Sequence, residues 1–464
     1  MPALRGIYDR LNDETTFSSG SPLGKQGREL ASFTMRIGNY RHIRRAFGED
    51  IALEVLDRLV NRVNQVLRGD GVAAPAAYGQ IMVRMIGLGS MQSDAATGVS
   101  GSWLWALCTA MSTFPVRIGS ATIFPLVWAS WDRRPDGLAA DVAGPADPWH
   151  VDELAPVCEA SADEKAGWAE RYRTDMALAA EILSVITPAG VSQSGGGAAD
   201  DQRFLLLLWQ PIHDARHPER VLYQEALLRF VDRHGVWNAP SQSLLALERL
   251  GLVSLLDQHI VSRVIDRLEG DCGVRLGVNI SAKSARCDLW WQEVMARLRA
   301  APQVARRLTV EITETAAMPD MTSAVRFVDG VKRLGVRVAL DDFGVGFTSI
   351  RQIMALKPDV VKIDGFFMRE ADLSGRGREV FNHLVRLTAS FGATVVVEGV
   401  ETAGQADLAL EAGIHWQQGY FWARPAVSQT WKSEGDGPLA SASEPGDYLP
   451  VEARPASSAQ VARL

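Results

Sequence analysis

The sequence predicts an α/β protein in which a smaller α/β domain precedes a (β/α)8 TIM-like barrel, and three observations carry that prediction. Its 464 residues exceed what one hydrophobic core usually supports, so two or three domains are expected. Ser/Gly-rich punctuation at 18–22 and 187–197, and a Ser/Ala/Pro/Gly-rich tail from about 428, leave two folded blocks, about 31–186 and 203–426. In the second block short apolar runs alternate with helical stretches, the pattern of parallel βα units, and eight such strands in about 220 residues fit a barrel. The finer division is a flexible segment at 1–30, a domain at 31–160, a connecting helix and linker at 161–202, the barrel at 203–426 and a disordered tail at 427–464.

In the first block Ile51, Val55, Leu59, Val63 and Leu67 recur every fourth residue, which puts one apolar stripe on a helix after an apolar strand at 30–37. Further strands are expected at 81–86 and 116–128, with a helix between them around 103–111. Ser161 with Glu164 three residues on forms a capping box for a helix whose Trp168, Tyr172, Met176 and Leu183 share a face. In the second block the expected strands are 204–210, 223–230, 275–280, 308–312, 337–340, 360–363, 394–397 and 415–420.

Composition narrows the function classes. With 47% hydrophobic and 22% charged residues the chain has ordinary globular usage, which excludes wholesale disorder and coiled-coil or collagen-like classes. A net charge of -7 gives no electrostatic reason to coat duplex nucleic acid. The four cysteines show no CxxC or Cys/His cluster, so neither a disulfide framework nor a zinc site is expected. No run approaches the ~20 apolar residues of a membrane span, and the first thirty residues lack a signal-peptide core, so a cytoplasmic location is expected.

Almost every strand of the second block contains or ends in a polar residue that a barrel core would not choose: Glu225, Asn279, Glu311, Asp341 with Asp342, Lys362, Glu398 and Gln418. In this architecture functional groups collect at the C-terminal ends of strands. Carboxylates converging there raise one another's pKa and destabilise the fold unless they hold cations. All-oxygen donors without Cys or His select hard ions such as Mg²⁺ or Mn²⁺. Adjacent Asp residues at a strand end allow one to bridge two ions, the arrangement that serves phosphodiester hydrolysis.

Those residues stand in recognisable motifs: Glu225-Ala-Leu within Tyr223-Gln-Glu-Ala-Leu-Leu-Arg229, Val278-Asn-Ile-Ser281, Glu311-Ile-Thr-Glu314, Asp341-Asp-Phe-Gly344, Lys362-Ile-Asp364, Glu398-Gly-Val-Glu401 and Gln418-Gly-Tyr420. Together they resemble the EAL family of cyclic di-GMP phosphodiesterases over about 203–426. The resemblance implies an EAL-type barrel that linearises cyclic di-GMP to pGpG with two Mg²⁺ or Mn²⁺ ions. It implies that Glu225, Asn279, Glu311 and Asp341 hold one ion, and that Asp341, Asp342 and Glu398 serve the second. Lys362 is then expected beside the attacking water, with Gln418 supporting the same shell. Substrate contacts are implied for Gln210, Leu228, Arg229, Asp364 and Glu401, and Glu314 is implied to anchor the loop after Asp342. The family usually has Thr or Ser where this chain has Val345, and Tyr and Ser where it has Phe347 and Thr348.

The segment from Arg36 to Gly48 resembles the opening strand and helix of a GGDEF diguanylate cyclase domain. Arg36 and Gly38 stand where that family carries metal-binding Asp residues, and Tyr78-Gly-Gln-Ile-Met82 stands where its signature loop falls. The expectation is a catalytically inactive domain that regulates or dimerises, with a homodimer and a regulatory protein partner implied. The competing reading is a receptor that binds cyclic di-GMP without cutting it and signals through a partner.

Overall fold

The computed structural model describes residues 2–12, 31–85, 101–133, 162–186, 203–313, 318, 320–345 and 350–427. Two compact units result: the first groups Met1–Asp200 with Ser241–Leu256 and Asp288–Val294, the second groups Asp201–Pro240, Asp257–Cys287 and Met295–Leu464.

The first unit contains helices α1 (Pro2–Asn12), α2 (Tyr40–Phe47), α3 (Glu49–Leu67), α4 (Gly101–Thr113), α5 (Ala162–Ile186) and α6 (Ser241–Leu250). Its strands are β1 (Ala31–Ile37), β2 (Gly71–Ala76), β3 (Gln80–Met85), β4 (Val116–Ile118), β5 (Ala121–Ile123) and β6 (Val127–Arg133). The main sheet has the order β2-β3-β1-β6, with every neighbouring pair antiparallel. That order, with helices between the first two strands and before the last, is a split-βαβ arrangement. β1 follows from alternation: Phe33, Met35 and Ile37 are buried while Arg36 faces out. The stripe on α3 is seated as expected, with Val55, Leu59, Val63 and Leu67 all buried.

Several expectations change. The segment 1–30 was expected to be flexible, yet residues 2–12 form α1, where Ile7 is buried and Arg10 Nη1 donates to the carbonyl of Val66 at 2.8 Å. The run at 116–128 is not one strand: Gly119, at φ +57°, turns β4 into the short hairpin partner β5, and Pro125 lies before β6 begins. β2 was not anticipated, because its Ala, Pro and Gly lack strand propensity. Its register against β3 and the bond between Asn64 Oδ1 and the Ala73 amide at 2.8 Å hold it. Tyr172, Met176 and Leu183 of α5 are buried as the shared face requires, whereas Ser161 of the capping box lies outside the described residues. Asp175 on α5 takes a two-pronged bond from Arg249 of α6, at 2.6 and 2.8 Å.

The strands continue with β7 (Phe204–Asp214), β8 (His217–Val231), β9 (Trp237–Asn238), β10 (Leu276–Ser281), β11 (Leu308–Thr313), β12 (Arg337–Phe343), β13 (Val360–Ile363), β14 (Thr394–Val397) and β15 (Trp416–Gln417). The remaining helices are α7 (Val253–Gly270), α8 (Leu289–Ala300), α9 (Pro302–Ala305), α10 (Met321–Lys332), α11 (Ile350–Leu356), α12 (Gly365–Leu373), α13 (Gly375–Ala389) and α14 (Ala403–Glu411). In the second unit the sheet order β10-β11-β12-β13-β14-β15-β7-β8, closed by a β10–β8 pairing, makes a ring of eight strands with β9 appended.

One strand corrects the expectation of uniformly parallel βα units. β7 runs antiparallel to both β8 and β15. The cause is local: only Ala215 and Arg216 separate β7 from β8, and parallel pairing needs a crossover of a dozen residues or more. The last strand is also shorter than the expected 415–420, since the chain turns after Gln417 and Phe421 N returns to the carbonyl of Val400 at 3.0 Å. Tyr223, Ile212, Ala339, Val360 and Val396 form an apolar cluster of the barrel. Among the described residues no helix is long and apolar enough to cross a membrane.

Candidate active site: a lysine among carboxylates

Side chains from β8, β11 and β12 and from the residue that follows β14 converge on the ammonium of Lys362 in β13. Lys362 is fully buried, and its Nζ lies 2.9 Å from carboxylate oxygens of Glu225, Glu311 and Asp341 and 2.7 Å from Glu398. An ammonium has three protons to donate, so four carboxylates at that distance exceed what it can satisfy. Glu225 also accepts from Asn279 Nδ2 at 2.6 Å and from Gln418 Nε2 at 2.7 Å, and Tyr223 donates its hydroxyl to Glu311 at 3.1 Å.

Adjacent residues of a regular strand point to opposite faces, so Asp341 and Asp342 would ordinarily be separated. Here the register of β12 against β13 shifts between Leu340 and Phe343, and Asp342 adopts φ +54°. This local bulge, with a non-glycine residue in the left-handed region, brings both carboxylates to one side. Carboxylate oxygens of Glu225, Glu311 and Asp341 come within 4.8 Å of one another, as do those of Asp341, Asp342 and Glu398. Asp341 belongs to both groups.

Space is made by glycine. A side chain at Gly277 of β10 would run into Glu311 Oε1 and the Tyr223 ring. Gly399, at φ +65°, packs against Gly365 where a methyl group would lie 2.9 Å from its Cα.

Electrostatics set the chemistry. Burial pushes Glu311 up to about 8 and Asp342 up to about 7, and raises Asp341 and Glu398 as well, each helped by neighbouring carboxylates. Burial works against Glu225 too, but Lys362 and the hydrogen bonds from Lys362, Gln418 and Asn279 outweigh it and hold that carboxyl below its usual range. Lys362 remains charged: burial would lower it, yet the surrounding carboxylates hold it well above a normal lysine. Five carboxylates facing one ammonium is a site that gains from further positive charge.

The donor set fits hard divalent cations. Asn279 Oδ1 and Glu311 Oε1 are buried with no hydrogen-bond partner among the described residues, which leaves oxygen lone pairs free beside carboxylates.

The cleft above this centre, about 470 Å³, is lined by Gln210, Asp364 and Glu401 among the expected contact residues. Gln210 Nε2 donates to the carbonyl of Ala423 at 3.1 Å, and Asp364 caps α12 by accepting from the Phe366 amide at 2.6 Å. Strand parity sends Leu228 to the face opposite Glu225, and Leu227 lines the cleft instead. Arg229 is not among the lining residues; its Nη1 donates to the carbonyl of Leu228 at 2.8 Å. Glu314, Phe347 and Thr348 lie outside the described residues. Sequence reasoning passed over Tyr223, Gly277 and Arg369. For Arg369 the signal was its place four residues after Gly365, where a helical side chain returns over the end of the preceding strand.

The ring of eight strands with functional groups at its C-terminal face defines the class: a TIM-like barrel with an acidic centre. The model of the EAL domain matches residues 198–425, the stretch that holds the barrel and its acidic centre. Cyclic di-GMP phosphodiesterase PdeL of Escherichia coli is 28% identical over 200 residues, 42% of this chain and 55% of PdeL. Cyclic di-GMP phosphodiesterase NbdA of Pseudomonas aeruginosa is 30% identical over 238 residues, 49% of this chain and 29% of NbdA. The chain thus spans about half of one relative and under a third of the other. Among solved structures, the FimX EAL domain from Pseudomonas aeruginosa bound to c-di-GMP aligns at 25% identity with a TM-score of 0.42, covering 48% of this chain and 91% of that one.

Proposed function

We propose that the protein hydrolyses cyclic di-GMP to linear pGpG, and that residues 31–160 form a catalytically inactive, GGDEF-like domain that regulates the barrel or dimerises. The observation that carries this reading is the pair of carboxylate groups sharing Asp341 around buried Lys362. The match to the EAL domain and the names of its relatives support the substrate.

Glu225, Asn279, Glu311 and Asp341 would hold one Mg²⁺ or Mn²⁺, and Asp341, Asp342 and Glu398 the second. Such ions supply Lewis acidity toward the scissile phosphate and lower the pKa of a bound water. The protein's own groups do the rest. Lys362 offsets the excess negative charge, and once cations draw carboxylates off its ammonium a freed N–H would donate to the attacking oxygen and orient it. Gln418 and Asn279 fix the Glu225 carboxylate from two sides. Asp364 and Glu401, in the cleft wall, are acceptors for guanine N–H groups, and Gln210 offers an amide.

In the first unit Arg36, standing where a cyclase would carry a metal-binding Asp, lays its guanidinium over the Trp128 ring at 5.0 Å. A cation at that place disfavours a metal-bound triphosphate, which supports the inactive assignment. Two arginines of α2 are engaged as well: Arg45 stacks on Trp168 at 5.3 Å, and Arg44 lies 3.5 Å from Glu49.

The test is hydrolysis by the purified full chain with Mg²⁺ or Mn²⁺. Metal-dependent pGpG formation, reduced at least ~100-fold in Glu225→Ala, is expected. Tight binding of cyclic di-GMP without turnover would make the protein a receptor instead.

A further inference from the structure

The cleft carries six carboxylates in its wall, from Glu225, Asp341, Asp342, Asp364, Glu398 and Glu401, and Arg369 is the one basic side chain lining it among the described residues. A dianionic dinucleotide entering such a cleft needs positive charge beyond what the acidic centre gathers. The family resemblance implies Arg229 as one source of such charge; its Nη1 donates to the carbonyl of Leu228, and Arg369 adds a second, from helix α12.

Arg369 sits on the second turn of α12, four residues after Gly365. Its Nη1 lies 3.2 Å from where a Cβ on Gly365 would stand and 3.7 Å from the corresponding point on Gly399. The guanidinium therefore lies over the contact between these two glycines, just beyond the ends of β13 and β14. Side chains at either glycine would crowd it. It is exposed and has no hydrogen-bond or ion-pair partner among the described residues, so its planar fork is available to a ligand.

We infer that Arg369 is a substrate-binding residue that holds a phosphodiester oxygen of the dinucleotide. This rests on the proposed hydrolysis of cyclic di-GMP and adds to it the residue that recognises the anion. The two glycines create the seat, and the helix that follows β13 delivers the charge.

The experiment is binding of cyclic di-GMP by the full chain in Ca²⁺, comparing wild type, Arg369→Ala and Arg369→Lys at two salt concentrations. Arg369→Ala is expected to weaken binding at least ~10-fold and to flatten its salt dependence, with Arg369→Lys between the two because it keeps the charge and loses the fork. Binding by Arg369→Ala within twofold of wild type would overturn the inference while leaving the hydrolase reading intact. No binding by wild type would overturn the dinucleotide reading and the inference with it.

Discussion

Asp342 concentrates the tension of the site in one residue. It sits at φ +54° and its carboxyl is pushed up to about 7 by burial and by Asp341. In the unfolded chain an Asp titrates near 3.9. Between about pH 4 and pH 7 the folded state therefore holds a proton that the unfolded state has released, so this group costs stability progressively as pH rises. Asp342→Asn keeps a side chain that tolerates the left-handed region and removes the titration. In chelator its melting temperature is expected to match wild type near pH 4 and to exceed it by several degrees at pH 8; with Mg²⁺ or Mn²⁺ supplied, its pGpG formation is expected to be lost. An advantage that does not widen with pH would sink this account. The identity of Asp342 as a candidate was legible in the motif; that it shares a side with Asp341 was not, because alternation along a strand argues the opposite and only the bulge reverses it.

At the level of elements, the barrel strands are shaped around their charges. Gly277 in β10 pairs with Glu225 of β8 and Thr309 of β11, and its missing side chain is the room that the Glu311 carboxylate and the Tyr223 ring occupy. Gly277→Ala is expected to displace Glu311, lowering Mn²⁺ affinity at least ~10-fold and costing about 1–3 kcal/mol of stability through overpacking. Isothermal titration and urea unfolding read the two effects; unchanged metal affinity would show that Glu311 is not displaced. The eight strands were legible from their apolar runs, and most begin and end within a few residues of expectation. The reversed direction of β7 was less visible, since it depends on a two-residue turn between segments that each read simply as strands.

For the whole molecule, the acidic centre is expected to couple stability to divalent ions. Carboxyls at about 7 and about 8 on Asp342 and Glu311 must lose protons before they serve as ligands, so ions compete with protons. Mn²⁺ at 100 times its Kd should stabilise the fold by about 2.7 kcal/mol. The thermal shift is expected to be larger at pH 8 than at pH 6 and to reverse with EDTA. Equal shifts at both values would argue that these carboxyls are not the ligands.

The chemistry available is written in the chain itself: Glu225, Asn279, Glu311, Asp341, Asp342, Lys362 and Glu398 stand on or just after successive strands and make an oxygen-rich, cation-seeking face. Motif spacing encodes this because each polar residue stands within or at the end of an otherwise apolar strand. Tertiary structure alone decided which groups meet. Lys362 reaches four carboxylates from four other strands only because the ring closes through β8 and β10. Arg369 finds room in the cleft wall because Gly365 and Gly399, from different strands' ends, touch there without side chains. Contacts between distant segments depend on closure and packing, which no local pattern records.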